Sequence, residues 1–237
     1  MRDFEPVIYR SYAEFFKRRF RPGARSFPST PTEMGSFAEA RYFGWEQLGA
    51  GQNFPIKGHS LKPDLILGNN ERAEPFWGGP VLLARLSPVD YHHVHYFDGG
   101  KTLSSHRIGG RLWTVHWKAL QNKDDIIFRN ERNINLVETQ NFGKLAIVEV
   151  GAMTVGRIIQ VHSLDQSFCR GEEKSVFDFG GSAVVVFGEP GRWRPCDDIL
   201  MHTRKGIETL VQLGDTVARA SNDEQNVGVG AEVANVV

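Results

Sequence analysis

The sequence predicts an α+β fold, predominantly β, in a single domain covering residues 1–237, and three observations carry that expectation. Its 237 residues include 25 glycines and 11 prolines, which divide an apolar content of 41% into many short runs. Several of those runs have the length of strands and the β-branched or aromatic composition that strands favour. Apolar residues at helical spacing stand out only near the N-terminus.

That helical segment runs from Tyr12 to Phe20, with Tyr12, Phe15, Phe16 and Phe20 along one side. Ser11 and Glu14 have the spacing of a capping box, and Arg21-Pro22-Gly23 ends the helix. Lys17, Arg18, Arg19, Arg21 and Arg25 lie beside these aromatics and could rest on anionic lipid headgroups, although an ordinary solvated helix face has the same make-up.

Strands are expected at Val81 to Leu86, Arg111 to Trp117, Ile134 to Glu138, Leu145 to Val150, Thr154 to Val161 and Ala183 to Phe187, packed as antiparallel or mixed sheet. Residues Ser221 to Val237 lack aromatics and any period, so a mobile tail is expected.

Charge and cysteine usage exclude several classes. Lys+Arg and Asp+Glu both number 28, which argues against a nucleic-acid binder held by phosphate neutralisation. No stretch approaches the roughly 18 apolar residues of a membrane span, and MRDFEPVIYR lacks the apolar core of a signal peptide. A cytoplasmic protein, at most peripheral at the membrane, is expected. Cys169 and Cys196 have neither disulfide-framework nor CxxC spacing, so reduced thiols are expected.

The densest titratable segment is Leu86-Ser87-Pro88-Val89-Asp90-Tyr91-His92-His93-Val94-His95. Ser87 and Asp90 are spaced to cap a turn, and Pro88 falls at its first position, where a missing N–H costs nothing. A short helical turn is therefore predicted. It would bring His92 and His95 to neighbouring faces, whereas extended backbone would hold them about 10 Å apart on opposite faces. HxxH on one face could also supply two zinc ligands, but no third ligand stands in a recognised arrangement, and acid–base work ranks above metal binding. Imidazoles satisfied by backbone carbonyls in a packed turn explain the segment equally well.

A second segment, Phe179-Gly180-Gly181-Ser182, leads into an apolar strand. Two glycines relieve crowding before Ser182, so its hydroxyl could attack the carbonyl of Gly181, turning peptide into ester; elimination and hydrolysis would leave a pyruvoyl group. The attack needs a base, which His95 could supply, and a donor for the oxyanion. A plain turn into a strand is the bland alternative. A nucleophile elbow is disfavoured, because GxSxG is absent here and a strand, not a helix, should follow.

Taken in order, these motifs resemble the phosphatidylserine decarboxylase family of pyruvoyl enzymes from about Tyr12 to about Val217. The resemblance is carried by Phe16 to Arg25 with its PGAR turn, Ser36-Phe37-Ala38-Glu39-Ala40-Arg41, Ile56-Lys57-Gly58, the histidine segment, Asn130-Glu131-Arg132, Val150 to Gly156 and Phe179-Gly180-Gly181-Ser182.

The resemblance implies a barrel-sandwich-like β core, cleavage between Gly181 and Ser182 into chains 1–181 and 182–237, and a covalent pyruvoyl cofactor derived from Ser182. It implies decarboxylation of phosphatidylserine to phosphatidylethanolamine through a Schiff base, with His95 and Glu39 in a charge relay and His92 serving the decarboxylation. Glu39 stands where the family usually has aspartate, His93 where arginine is common and Ala183 where threonine is common. A homodimer is also implied. A soluble amino acid as substrate, an aromatic one included, and a non-catalytic β-rich binding module that has lost processing are the competing expectations.

Overall fold

The computed structural model describes residues 2–47, 62–123, 125–152, 157–163, 165–178 and 182–221. After helix α1 (Tyr12–Phe16) come strands β1 (Glu33–Gly35) and β2 (Ala40–Trp45), helices α2 (Pro63–Leu67) and α3 (Asn70–Ala73), and strands β3 (Val81–Leu86), β4 (His93–His95) and β5 (Gly100–Ile108). Helices α4 (Trp117–Asn122) and α5 (Ile126–Arg129) precede strands β6 (Arg132–Thr139), β7 (Gly143–Gly151), β8 (Arg157–Gln160), β9 (Ser167–Phe168) and β10 (Glu173–Asp178). The last described elements are β11 (Ser182–Gly188), β12 (Trp193–Pro195), helix α6 (Asp197–Arg204), β13 (Thr209–Val211) and β14 (Thr216–Ala220).

The architecture is α+β and predominantly β. An eight-stranded antiparallel sheet runs in the order β13-β2-β3-β11-β7-β6-β5-β9, and two three-stranded sheets, β1-β14-β12 and β4-β10-β8, accompany it. The sheets stack as open layers, and among the described residues none closes into a barrel.

Every residue of β11 is buried, because both faces of the large sheet are covered. Val184 and Val186 share one face with Leu82, Ala84, Leu86 and Ile147, packed with Phe37, Val94, Phe177 and Val217 of the smaller sheets and their connections. Ala183, Val185 and Phe187 share the other with Val81, Leu83 and Val148, packed under Ile66, Leu67, Ile126 and Ile127 from the helices. Two covered faces explain why the sequence here is a continuous apolar run and not an alternation.

Four of the expected strands lie within or coincide with β3, β6, β7 and β11. A fifth, Thr154 to Val161, is described from Arg157, where β8 runs to Gln160; residues 153–156 lie outside the described residues. The strand expected at Arg111 to Trp117 is not formed. Asn130 takes the groups a neighbouring strand would use, accepting from Trp113 N at 3.0 Å and donating to Trp113 O at 2.8 Å. Arg111 makes only an isolated bridge to Asn130, and α4 begins at Trp117.

The N-terminal helix stops at Phe16, four residues short of the expected end. Ser11 does cap it, accepting from Glu14 N at 3.2 Å, but the Glu14 carboxylate accepts from Arg10 N in place of the reciprocal bond. Arg18 then turns inward to the carbonyls of Val89 and Asp90, and Phe20 leaves the helix to stack on Phe4 at 4.5 Å.

The helical turn predicted for the histidine segment is likewise replaced. Ser87 N donates to the Asp90 carboxylate at 2.6 Å and Asp90 N to Ser87 O at 2.8 Å, closing a tight turn. The chain then extends into β4, with His93 opposite Val176 and Val94 opposite Ser175. A single helical turn is costly to nucleate, and the ladder to β10 supplies backbone bonds that the turn would forgo.

Leu82 is fully buried in the core face that also carries Ser182. Leu82→Ala should lower unfolding stability by about 2–5 kcal/mol, seen as a reduced urea midpoint with an unchanged slope.

Candidate active site

Ser182 opens β11, directly opposite Leu86 of β3 and Gly151 of β7, and is fully buried. The end of β7 beside it is secured by Asn130, whose amide donates to Gly151 O at 2.8 Å. Arg132 holds the same region by donating to the carbonyls of Leu65, Ile66, Phe128 and Asn130. Gly181, expected on the N-terminal side of the cut, lies outside the described residues, as does Gly180 before it.

His92 is the histidine that meets this serine. Its Nε2 lies 2.9 Å from Ser87 O, a partner that can only accept, so Nε2 carries the proton and Nδ1 presents a lone pair. Ser182 Oγ sits 3.3 Å from that Nδ1 and donates to it. The Phe16 ring stacks on the imidazole at 3.9 Å, sealing it from this side. Burial pushes the His92 pKa down to about 3, so the ring is neutral at ordinary pH.

His95 points elsewhere. Three residues on in extended backbone, it belongs to the opposite side of the strand. Its Nδ1 donates to Gly171 O at 2.9 Å, leaving Nε2 to accept from the Tyr91 hydroxyl at 3.3 Å. It borders a cleft of about 280 Å³ whose lining includes Arg19, Arg21, Arg25, Tyr91 and Glu173. Burial also lowers its pKa.

Glu39 comes to the same neighbourhood, since Phe37 O accepts from His95 N at 2.9 Å. Its carboxylate, however, is gripped by Arg25 through bonds of 2.7 and 3.1 Å and also accepts from Leu213 N at 3.3 Å. No hydrogen bond joins Glu39 to His95, and none joins His95 to Ser182. The structure therefore brings together two pairs, Ser182 with His92 and His95 with the Glu39 neighbourhood, but not all four residues. The expected helical turn would have merged them; extended backbone keeps the two imidazoles apart.

His93, where the resemblance pointed to arginine, is buried with Nδ1 2.6 Å from the Glu173 carboxylate and its ring stacked on Tyr91 at 4.4 Å. Sequence reasoning missed the partners Tyr91, Gly171 and Arg25. Arg25 stood within the quoted PGAR turn, but nothing local paired it with a carboxylate 14 positions on.

The sequence profile described as phosphatidylserine decarboxylase matches residues 12–219. The chain is 34% identical over 209 residues to a phosphatidylserine decarboxylase proenzyme of Ruminiclostridium cellulolyticum, covering 88% of this chain and 70% of that protein. It is 33% identical to the similarly named proenzyme of Clostridium perfringens, over 88% of this chain and 71% of the relative, and 30% identical to that of Chlamydia pneumoniae, over 93% and 73%. The chain belongs to the phosphatidylserine decarboxylase family. Relatives so named favour a phospholipid decarboxylase over the soluble-substrate and binding-module alternatives.

Folding lowers the His92 pKa, so the unfolded chain binds the extra proton as pH falls below the ordinary value of 6.5. In an uncleaved Ser182→Ala chain, stability should therefore drop between pH 6 and pH 4 with a His92 contribution of up to about 1.4 kcal/mol per pH unit. Urea unfolding at several pH values checks this, and adding His92→Gln should flatten the slope by that amount.

Proposed function

We propose that this chain is a self-processing carboxy-lyase that converts phosphatidylserine to phosphatidylethanolamine and CO2, using a pyruvoyl group made from Ser182. The observation that carries the reading is the contact between Ser182 Oγ and His92 Nδ1 at 3.3 Å, at the mouth of a strand locked into the core.

In the processing step Ser182 Oγ loses its proton and attacks the Gly181 carbonyl, and the peptide C–N bond breaks to give an ester. Removal of the Ser182 α-proton then expels the Gly181 carboxylate, and hydrolysis of the resulting enamine leaves a ketone and ammonia. The two products would be residues 1–181 and 182–237. His95 is proposed to take the hydroxyl proton, oriented by Glu39. Its ring must first leave Gly171 O and Tyr91, and Arg25 must release the carboxylate.

The residues present fit the group. Ser182 places it at the start of a fully buried strand, with a neutral imidazole alongside. Held there, a pyruvoyl group would supply an electrophilic carbonyl for the substrate amine and a sink for the electron pair left by CO2. His92 is proposed to hold and deliver the proton that replaces CO2, a function worth about 10² to 10⁴ in rate. Phe16 excludes water from that exchange, which strengthens every polar contact inside. A second reading, favoured by the same 3.3 Å contact, gives His92 the cleavage proton as well.

The finer substrate assignment rests on charge and exposure. Arg19 and Arg21 line the cleft beside His95 and suit a phosphodiester. Val7, Ile8 and Tyr12 are exposed at 53%, 92% and 53%, and Arg10 and Lys17 lie close to them in the chain, a combination suited to an anionic bilayer surface. No helix among the described residues is long and apolar enough to cross a membrane.

Intact-mass analysis should find the two fragments, the second starting with a carbonyl that hydroxylamine traps; an unbroken chain in turnover-competent protein excludes the mechanism. Ser182→Ala should abolish both splitting and CO2 release. His95→Ala should remain unsplit, whereas His92→Ala should split and then release CO2 about 10²- to 10⁴-fold more slowly. A His92→Ala chain that stays whole would establish the second reading. Ile8→Glu should weaken co-flotation with phosphatidylserine-containing vesicles while splitting proceeds unchanged.

A further inference from the structure

A second polar group lies buried on Ser182's side of the large sheet and takes no part in the steps above. Glu149 precedes Gly151 by two residues on β7, so it shares the face of the residue opposite Ser182 and is its diagonal neighbour, at about 7–8 Å. The Glu149 carboxylate is fully buried. One oxygen accepts from Lys174 Nζ at 2.8 Å and from the Ser175 hydroxyl, and the other accepts from the Gln160 amide at 2.7 Å. Lys174, with a side chain only 1% exposed, also donates to Gln160 Oε1 at 3.0 Å.

Consecutive residues of a regular strand point to opposite faces. Lys174 and Ser175 nevertheless reach one carboxylate, because the register of β10 against β4 shifts between Glu173 and Ser175. On its other side β10 holds the histidine strand, with Ser175 opposite Val94 and Phe177 N donating to His92 O at 3.0 Å. Glu149 thus ties β7, which pairs with Ser182, to β10, and β10 in turn holds β4 and the His92 carbonyl that precedes it. A buried ion pair is a poor source of stability when apolar residues of similar size would fill the space, yet its directed bonds select one register where apolar contacts tolerate several.

We propose that the Glu149–Lys174 pair, with Ser175 and Gln160, positions the histidine strand on Ser182. The proposal rests on the self-processing reading for its functional consequence, but the placement of His92 can be measured without it. His92 is faced by Phe16, Ser182, the Ser87 carbonyl, Arg18 and His93; burial is the largest cause of its low pKa, and the two cationic or titratable neighbours lower it further. Slippage of the strand would admit water to the ring and raise that pKa.

The test uses the full chain bearing Glu149→Met and Lys174→Met together, so that neither ion is left uncompensated. In a Ser182→Ala background, NMR titration should show the His92 pKa move from about 3 toward the ordinary 6.5. In the parent background, splitting should slow about 10- to 100-fold, the scale set by displacements near 1 Å. Leu82→Ala serves as the control for lost stability and should leave the His92 titration in place. An unmoved titration, or splitting at the parental rate, overturns the proposal. A parent chain that never splits sinks the processing reading alone, because the titration still decides the positioning. Should the double variant fail to fold, Ser175→Ala removes a single bond to Glu149 and must move the same titration in the same direction.

Discussion

Strand β11 is hydrogen-bonded along its length to β3 on one side and β7 on the other, with apolar layers on both faces. Everything proposed for Ser182 depends on that enclosure. A residue at the first position of such a strand has its backbone direction set by ladders on both sides, and its side chain is committed to one face of the sheet. The enclosure also bears on a severed chain. Burial of Val184, Val185, Val186 and Phe187 does not depend on the peptide bond preceding Ser182, so the piece beginning there would stay in the core.

Extended backbone imposes a division of labour on the histidines. His92 faces Ser182, neutral and shielded by Phe16, while His95 looks into a cleft lined by arginines and a tyrosine. Hydrogen bonds to Ser87 O and Gly171 O assign the two rings opposite tautomers, leaving Nδ1 free to accept in one and Nε2 in the other. The hold of Arg25 on Glu39 adds a second separation, since a carboxylate engaged by a guanidinium fork on two bonds is not free to orient an imidazole.

Much of the sheet was legible because its central strands are short runs rich in apolar and β-branched residues, most continuous in β11, which is covered on both faces. The Arg111 to Trp117 run failed because Asn130, remote in sequence, took the Trp113 backbone groups that pairing required. The histidine turn failed for a related reason. Ser87, Pro88 and Asp90 do close a turn as their spacing suggested, but β10 draws the following residues into a ladder. The order of the motifs, and with it the family, could be read from the chain alone. Which histidine touches the serine could not, because that depends on whether three residues are helical or extended.

Local composition and motif order suffice for the predominantly β class, most central strands, the serine at the head of one of them and the family to which the chain belongs. Tertiary structure alone decided that His92 meets Ser182, that Arg25 occupies Glu39, and that Glu149 and Lys174 are buried together. Each of those is a contact between strands or loops distant in the chain, and pairing register, which no local propensity encodes, sets which side chains face one another.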